Sequence, residues 1–433
     1  MQINPRTRGL RTCWDIVRGL NRRGLTSTRF SSTCSGGKLR VGWAMFSSRL
    51  SFADDSNALS KARERRRTAG LPTLDLADAN PATAGFGWSV LELGTLLRRD
   101  GIQRQDPDAR GLTVARTAIA DYYLARGTRL TPDRIFLSAS TSEGYSWLFK
   151  LLCNPGDEIL VPEPAYPLLE VIAALEGVTL RPYRLVQLAG EWVIDLASLT
   201  ASRQTRAIVC INPSNPTGAF VSRRDRDILR NFALKNSLAV LCDEVFLDYP
   251  AEGVSSPGTW VGETQVALYV LSGLSKVAVA PQLKVGWIIV SGPTDTVQES
   301  CRRLEHIADA FLSVNTPAQL ALPDLLRRAE PIRAAIRTRV SENQQILKDW
   351  VVSSGHACTV LPRPAGWMAI LGLPPGVSEE RLLLNALDEG VWAHPGYFYG
   401  LSSNSPSVIL SLLPKSSEFS EGLSGLDRAL RRT

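Results

Sequence analysis

Short apolar runs alternate with longer segments of helical pattern, and this alternation narrows the fold more than any other feature of the chain. The runs are "RIFLSAS" (134–140), a stretch within "DEILVPEPAYP" (157–167), "AIVCINP" (207–213), "LAVLCDEVF" (238–246), "VALYVLSG" (266–273) and "KVGWIIVSG" (284–292). Each has the length and composition of a buried strand. Helical stretches such as "TSEGYSWLFKLLC" (141–153) separate them. Strands that are apolar throughout and joined through helices form a mainly parallel sheet covered on both faces. The expectation is therefore an α/β protein. Residues 302–350 read as helix-rich, punctuated by Pro317, Pro323 and Pro331. After "LPRPAGWMAIL" the pattern becomes a smaller α+β unit. A further helix is expected from residue 56, capped by Ser56, with Lys61 to Arg67 as a charged, solvated face. At 433 residues the chain exceeds a single ordinary domain.

Charge is distributed unevenly. Residues 1–44 hold nine of the 49 lysines and arginines and one of the 42 acids, so this tail carries +8 and the other 389 residues sum to −1. A nucleic-acid-binding body keeps its positive charge on the folded domain, so that class is set aside. The tail, rich in Arg, Ser and Thr, resembles an organelle transit peptide in composition, but the preferred reading is an upstream start, with Met45 opening the chain proper. Neither a secretory apolar stretch nor a spanning helix stands out. Seven scattered cysteines without a CxxC pair fit a reducing, cytoplasmic setting. Three separated histidines leave little for a metal centre or a Ser-His-Asp triad, and no metal is expected.

Polar residues cluster just after the apolar runs. "INPSNPTG" (211–218) follows one, "DEVF" (243–246) ends another and "GLSK" (273–276) follows a third. Ligands of open α/β sheets bind beyond the carboxyl ends of the strands, so Asn215, Asp243 and Lys276 are candidates for one site. Desolvation favours the neutral amine of a lysine, which can then attack a carbonyl; Lys276 suits an aldehyde cofactor. A buried Asp243 needs a cation or hydrogen-bond donors. Each residue alone also has an ordinary structural reading: a lysine snorkelling at a strand end, a helix cap, and a turn.

Together, "NPSNPTG", "DEVF" and "GLSK", with a basic residue eight positions after the lysine, resemble the class I/II aminotransferases. The resemblance spans roughly residues 56–430 and implies a fold-type I transferase dependent on pyridoxal 5′-phosphate. It implies a large domain with a mostly parallel, seven-stranded type of sheet and a smaller α+β domain. It also implies roles. Lys276 would hold the cofactor aldehyde and move the substrate proton. Asp243 would pair with the pyridine nitrogen, Asn215 with the ring 3-oxygen, and Tyr166 would stack on the ring. Thr141, Ser142, Ser275 and Lys284 would form the phosphate cup. Phe246 would border the ring. Asn80, Arg363 and Tyr397 are candidates for touching substrate, with His394 in the same loop as Tyr397.

Four departures from the family pattern stand out. Lys284 replaces an arginine, Phe246 a tyrosine, and Gln105 a tyrosine contributed by a neighbouring subunit. Ile409, in "VILSLLP" (408–414), replaces the arginine that clamps the substrate α-carboxylate. The expected domains are a tail at 1–44, an N-terminal segment of the small domain at 45–98, a large cofactor domain at 99–320, and a C-terminal small domain at 321–433. The expected activity is ping-pong transfer between an amino acid, neutral by the lack of an acid-specific clamp, and a 2-oxo acid, in a homodimer without nucleic-acid or membrane partners. Rival readings are a β-lyase, decarboxylase or racemase on the same scaffold, or a non-catalytic sensor.

Overall fold

The computed structural model describes residues 47, 49, 57–104, 107–402 and 404–433. The tail, Met45, Ser56 and Gln105 lie outside the described residues.

All six apolar runs are strands of one eight-stranded sheet. Edge to edge, its strands are Ile135–Ser138, Gly286–Ser291, Leu268–Gly273, Ala239–Asp243, Thr205–Ile211, Glu158–Glu163, Thr179–Leu188 and Glu191–Ile194. The four pairings from Leu268–Gly273 through Thr179–Leu188 are parallel; the other three are antiparallel. The sheet is thus one strand wider than the seven-stranded type. Glu191–Ile194 folds back on Thr179–Leu188 through Ala189 and Gly190, both at positive φ.

Alternation along each strand feeds two cores, since successive side chains point to opposite faces. Val240, Cys242, Leu268 and Val270 face one core, with the helices Val90–Leu97, Thr113–Leu124 and Thr316–Arg328. Ala239, Leu241, Tyr269 and Leu271 face the other, with the helices Thr141–Leu152, Leu168–Glu176 and Thr294–Phe311. A third core is built on a four-stranded sheet, Thr359–Val360, Met368–Gly372, Ser407–Ser411 and His394–Pro395 in that order. The helices Glu330–Ser353, Glu379–Asp388 and Ser416–Leu430 cover it, and Leu59 and Leu76 of the N-terminal segment pack into it.

Three local expectations change. Asn57, whose side chain accepts from the Ser60 N–H, caps the helix Ala58–Thr68. Pro323 lies inside the helix Thr316–Arg328 and does not end it. Its ring removes one backbone donor, and the packing of Leu322, Leu325 and Leu326 into the first core keeps the helix continuous. Leu93, Leu96 and Leu97, expected with the small domain, pack with the large-sheet core. No helix of the described residues is long and apolar enough to cross a membrane.

Leu241 is fully buried at the centre of the large sheet. Leu241→Ala is expected to cost about 2–5 kcal/mol through lost burial and a residual cavity, read as a lower urea midpoint.

Candidate active site

Adjacent strand ends bring the principal candidates together. Asp243 ends its strand, paired with Ile211 on one side and Leu271 on the other. The Asn212 N–H donates to the Asp243 carbonyl at 2.7 Å and starts the segment that carries Asn215. That segment closes on itself, the Gly218 N–H donating to the Ser214 carbonyl at 2.8 Å. Gly218 has φ +69°, and a Cβ there would lie 2.3 Å from the Ala365 carbonyl oxygen, so the turn accepts only glycine. Lys276 sits on the one-turn helix Leu274–Val277, directly after the strand that pairs with Asp243. The Tyr249 hydroxyl fixes this turn by donating to the Lys276 carbonyl at 2.6 Å.

Burial dominates the electrostatics of the pair. It pushes the Asp243 carboxyl up to about 6, against the Val245 N–H, the Tyr145 hydroxyl and the charge of Lys276. Val245 donates at 3.1 Å to one carboxylate oxygen and Tyr145 at 3.1 Å to the other. Burial likewise pushes the Lys276 amine down to about 8, against the charges of Asp78 and Asp243. The Lys276 Nζ donates to the Ala79 carbonyl at 3.3 Å. It also stands 5.0 Å from the ring centre of Trp367 and 5.6 Å from that of Phe246.

The phosphate-cup candidates converge through backbone. Ser140 caps the helix Thr141–Leu152 by accepting from the Glu143 N–H at 3.1 Å, and Thr141 and Ser142 open its first turn. Gly273 and Gly286 pair across their strands. A Cβ on Gly286 would lie 2.8 Å from the Thr141 nitrogen, so this junction fits against the helix start only as glycine. Ser275 and Lys284 flank the junction, and Lys284 is exposed. Free N–H groups at a helix start with a nearby ammonium suit an anion.

These features fit the cofactor that the motifs imply. The Asn215 side-chain oxygen is buried without a protein partner, as a group awaiting a ligand atom would be. Lys276 supplies an amine of lowered pKa, Asp243 a half-buried carboxylate, and the Gly286 cradle a place for an anion.

The substrate candidates divide. Asn80 adjoins Ala79, and its side chain accepts from the Ala82 N–H at 3.1 Å. Tyr166 is half-buried beside Tyr399. Tyr397 is half-buried, its N–H donating to Glu379 at 3.1 Å and its ring edge-on to Phe398. His394 is a core residue, 2% exposed, against Trp392 and Tyr399. Arg363 donates to the Gln344 side chain at 2.9 Å and to the Gly366 carbonyl at 2.5 Å. It lines a 710 Å³ cavity with Tyr249, Arg337 and Gln345, apart from Lys276, Asp243 and Asn215. Desolvation lowers the Arg363 guanidinium to about 10, and its stem lies against the Gly218 turn that carries Asn215. Ile409 is fully buried, paired with Ile370 and His394.

Tyr145, Tyr249, Asp78 and Trp367 join the site without having been singled out in the sequence. Tyr145 had a signal: it lies four residues after Thr141, on the helix face that meets the strand ends. Among the described residues no group of three or more His, Cys, Asp or Glu forms a metal cluster.

The family model "Aminotransferase class I and II" matches residues 99–409. The chain is 30% identical over 314 residues to the glutamate-pyruvate aminotransferase AlaA of Escherichia coli K12, covering 71% of this chain and 77% of that protein. It is 34% identical over 229 residues to the S-alkyl-thiohydroximate lyase SUR1 of Arabidopsis thaliana, covering 51% of this chain and 48% of that one. Among solved structures, alanine aminotransferase from Pyrococcus furiosus superposes with a TM-score of 0.77 at 23% identity, over 86% of this chain and 95% of that one.

Asp243 has a folded pKa above its ordinary 3.8, so its share of stability is greatest below 3.8 and declines as pH rises toward 6. Tyr145→Phe removes a donor to the ionised form. In the cofactor-free protein the variant's thermal deficit against the parent is expected to grow as pH rises through 6, because only the carboxylate misses the hydroxyl. A deficit that stays constant with pH would refute the coupling.

Proposed function

The chain belongs to the class I and II aminotransferases, and on that footing we propose how its residues divide the work. The protein is a pyridoxal-phosphate-dependent enzyme that transfers an amino group between an amino acid and a 2-oxo acid. The observation carrying the proposed roles is a lysine amine lowered to about 8 and a half-buried aspartate, its carboxyl raised to about 6, at the ends of paired strands.

When bound, pyridoxal 5′-phosphate supplies an aldehyde for the amine and a ring that accepts electrons. Lys276 would hold that aldehyde until the substrate's amine displaces it, and the freed Nζ would then take the proton from the substrate carbon bearing the amino group. An amine with a pKa near the working pH can both accept and return that proton. Asp243 faces the ring nitrogen and keeps its proton in place. Asn215 directs its side-chain amide at the ring 3-oxygen. Tyr166 covers one ring face, and Phe246 gives an apolar border without a hydroxyl. Thr141, Ser142 and Ser275 offer donors to the phosphate, and Lys284 supplies a point charge in place of a bidentate fork. Asn80 and Tyr397 border the substrate. The amino group would stay with the enzyme after the first product leaves and before the acceptor binds, which makes the reaction ping-pong.

The domain division is proposed to fall near residues 87 and 329, where packing passes between the large-sheet and small-domain cores. A homodimer is proposed, with the exposed Val90 and Leu91 supplying apolar surface. A cytoplasmic setting is proposed from the free thiols of Cys153, Cys210, Cys242, Cys301 and Cys358.

The test is the absorption spectrum of the cofactor-loaded protein. Alanine or glutamate, the donors suggested by the name of the bacterial relative, is expected to abolish the long-wavelength band, and the matching 2-oxo acid to restore it. Lys276→Ala is expected to lower turnover by about 10²–10⁴-fold. Release of ammonia with the band unchanged would favour lyase chemistry over transfer.

A further inference from the structure

We propose that the cavity beside Arg363 is a binding site for a small organic monocarboxylate, separate from the amino-transfer site. This site stands whether or not Lys276 is the reacting amine.

Arg363 is half-buried, and no carboxylate of the described residues lies within ion-pair distance of it. Its Nε donates to the Gln344 side chain at 2.9 Å and its Nη1 to the Gly366 carbonyl at 2.5 Å. A guanidinium carries five N–H groups, so three remain for a ligand. Loss of water is what pulls this group down to about 10, with no acid offsetting it. The other arginines nearby differ. Arg333 pairs with Glu330 and Asp248, and Arg337 pairs with Glu330 and donates to the Asp248 carbonyl. A desolvated cation without a counter-charge is costly, and the planar fork of an arginine matches a carboxylate.

The surroundings are those of a small-molecule site. The cavity measures 710 Å³, and Tyr249, Arg337, Ser341, Gln345 and Gly366 line it with Arg363. Glu252 and Glu342 line it too, and both are exposed. Glu252 accepts from the Ser341 hydroxyl at 3.1 Å, and Glu342 stands 3.8 Å from Arg339. These two acids oppose a second negative charge, so one carboxylate is favoured over a phosphate dianion or a tricarboxylate. A bridge between Pro250 and Ala365 marks the boundary with the amino-transfer site. There the Ala251 N–H donates to the Pro364 carbonyl and the Gly366 N–H to the Tyr249 carbonyl, each at 2.8 Å. Gly366 lines the cavity, whereas the next residue, Trp367, stands 5.0 Å from the Lys276 Nζ.

The experiment titrates the cofactor-loaded protein with 4-fluorobenzoate, followed by fluorine NMR. Binding at millimolar probe is expected, and the neutral 4-fluorobenzamide is expected to bind about tenfold more weakly or worse, the usual worth of a charged hydrogen-bond partner. Acetate is expected to displace the probe, and inorganic phosphate and citrate to displace it far less. Arg363→Gln is expected to weaken binding by about tenfold or more. Ser341→Trp, which fills the cavity from the helix Glu330–Ser353 and leaves the guanidinium in place, is expected to abolish it. In the parent protein, irradiated 4-benzoylbenzoate is expected to label that helix or residues 249–252. This mapping decides the matter even where a variant does not fold. Equal binding of the amide, displacement by phosphate as effective as by acetate, or no binding at millimolar probe overturns the proposal. So does undiminished binding to either folded variant, or a label confined to the peptide containing Lys276, which would assign the carboxylate to the amino-transfer site.

Discussion

The site depends on one electrostatic constraint: the half-buried Lys276 amine sits in the field of the carboxylates of Asp78 and Asp243. Desolvation pulls both groups toward neutrality, the amine to about 8 and the carboxyl to about 6. Each is then steadied by the other's charge and by local donors. A lysine in water would be protonated and inert as a nucleophile; here the free amine is accessible near neutrality. The surrounding structure serves this arrangement. The parallel centre of the sheet aligns the ends of three strands, and the short helix after one of them carries Lys276.

Packing maintains the constraint from both sides. Trp367, fully buried, stacks edge-on against Phe246 and Tyr249 at 4.8 Å each. Tyr249 in turn holds the Lys276 backbone. The wall of the amine pocket is thus shared between the large sheet and the small-domain core. Behind Asp243, the neighbouring Glu244 is buried and satisfied by the Thr259 hydroxyl and the Trp260 N–H, which anchors the segment after the strand. These contacts fix geometry at a place where backbone polar groups at strand ends would otherwise be free.

The sheet and the central residues were legible because they obey local rules. Six apolar runs became strands, and Lys276, Asp243 and Asn215 fell just past their ends. The strands Thr179–Leu188 and Glu191–Ile194 were not legible, since "TLRPYRLVQL" mixes charge and proline and is largely exposed, second from the sheet edge. Tyr145 and Asp78 escaped for another reason. The contact between Tyr145 and Asp243 spans 98 positions and that between Lys276 and Ala79 spans 197, so no local pattern announces either. For Arg363 the sequence shows only the charge, while the fold shows that Gln344 and Gly366 accept from it. The buried Ile409 leaves that end of the site without the expected arginine, and the substrate question turns on this loss.

The most direct test of the central claim is chemical. The cofactor-loaded protein is reduced with borohydride, digested and mapped by mass spectrometry. The account predicts one stable cofactor adduct, on the peptide containing Lys276. An adduct on Lys284 or another lysine, or none at all, would contradict it.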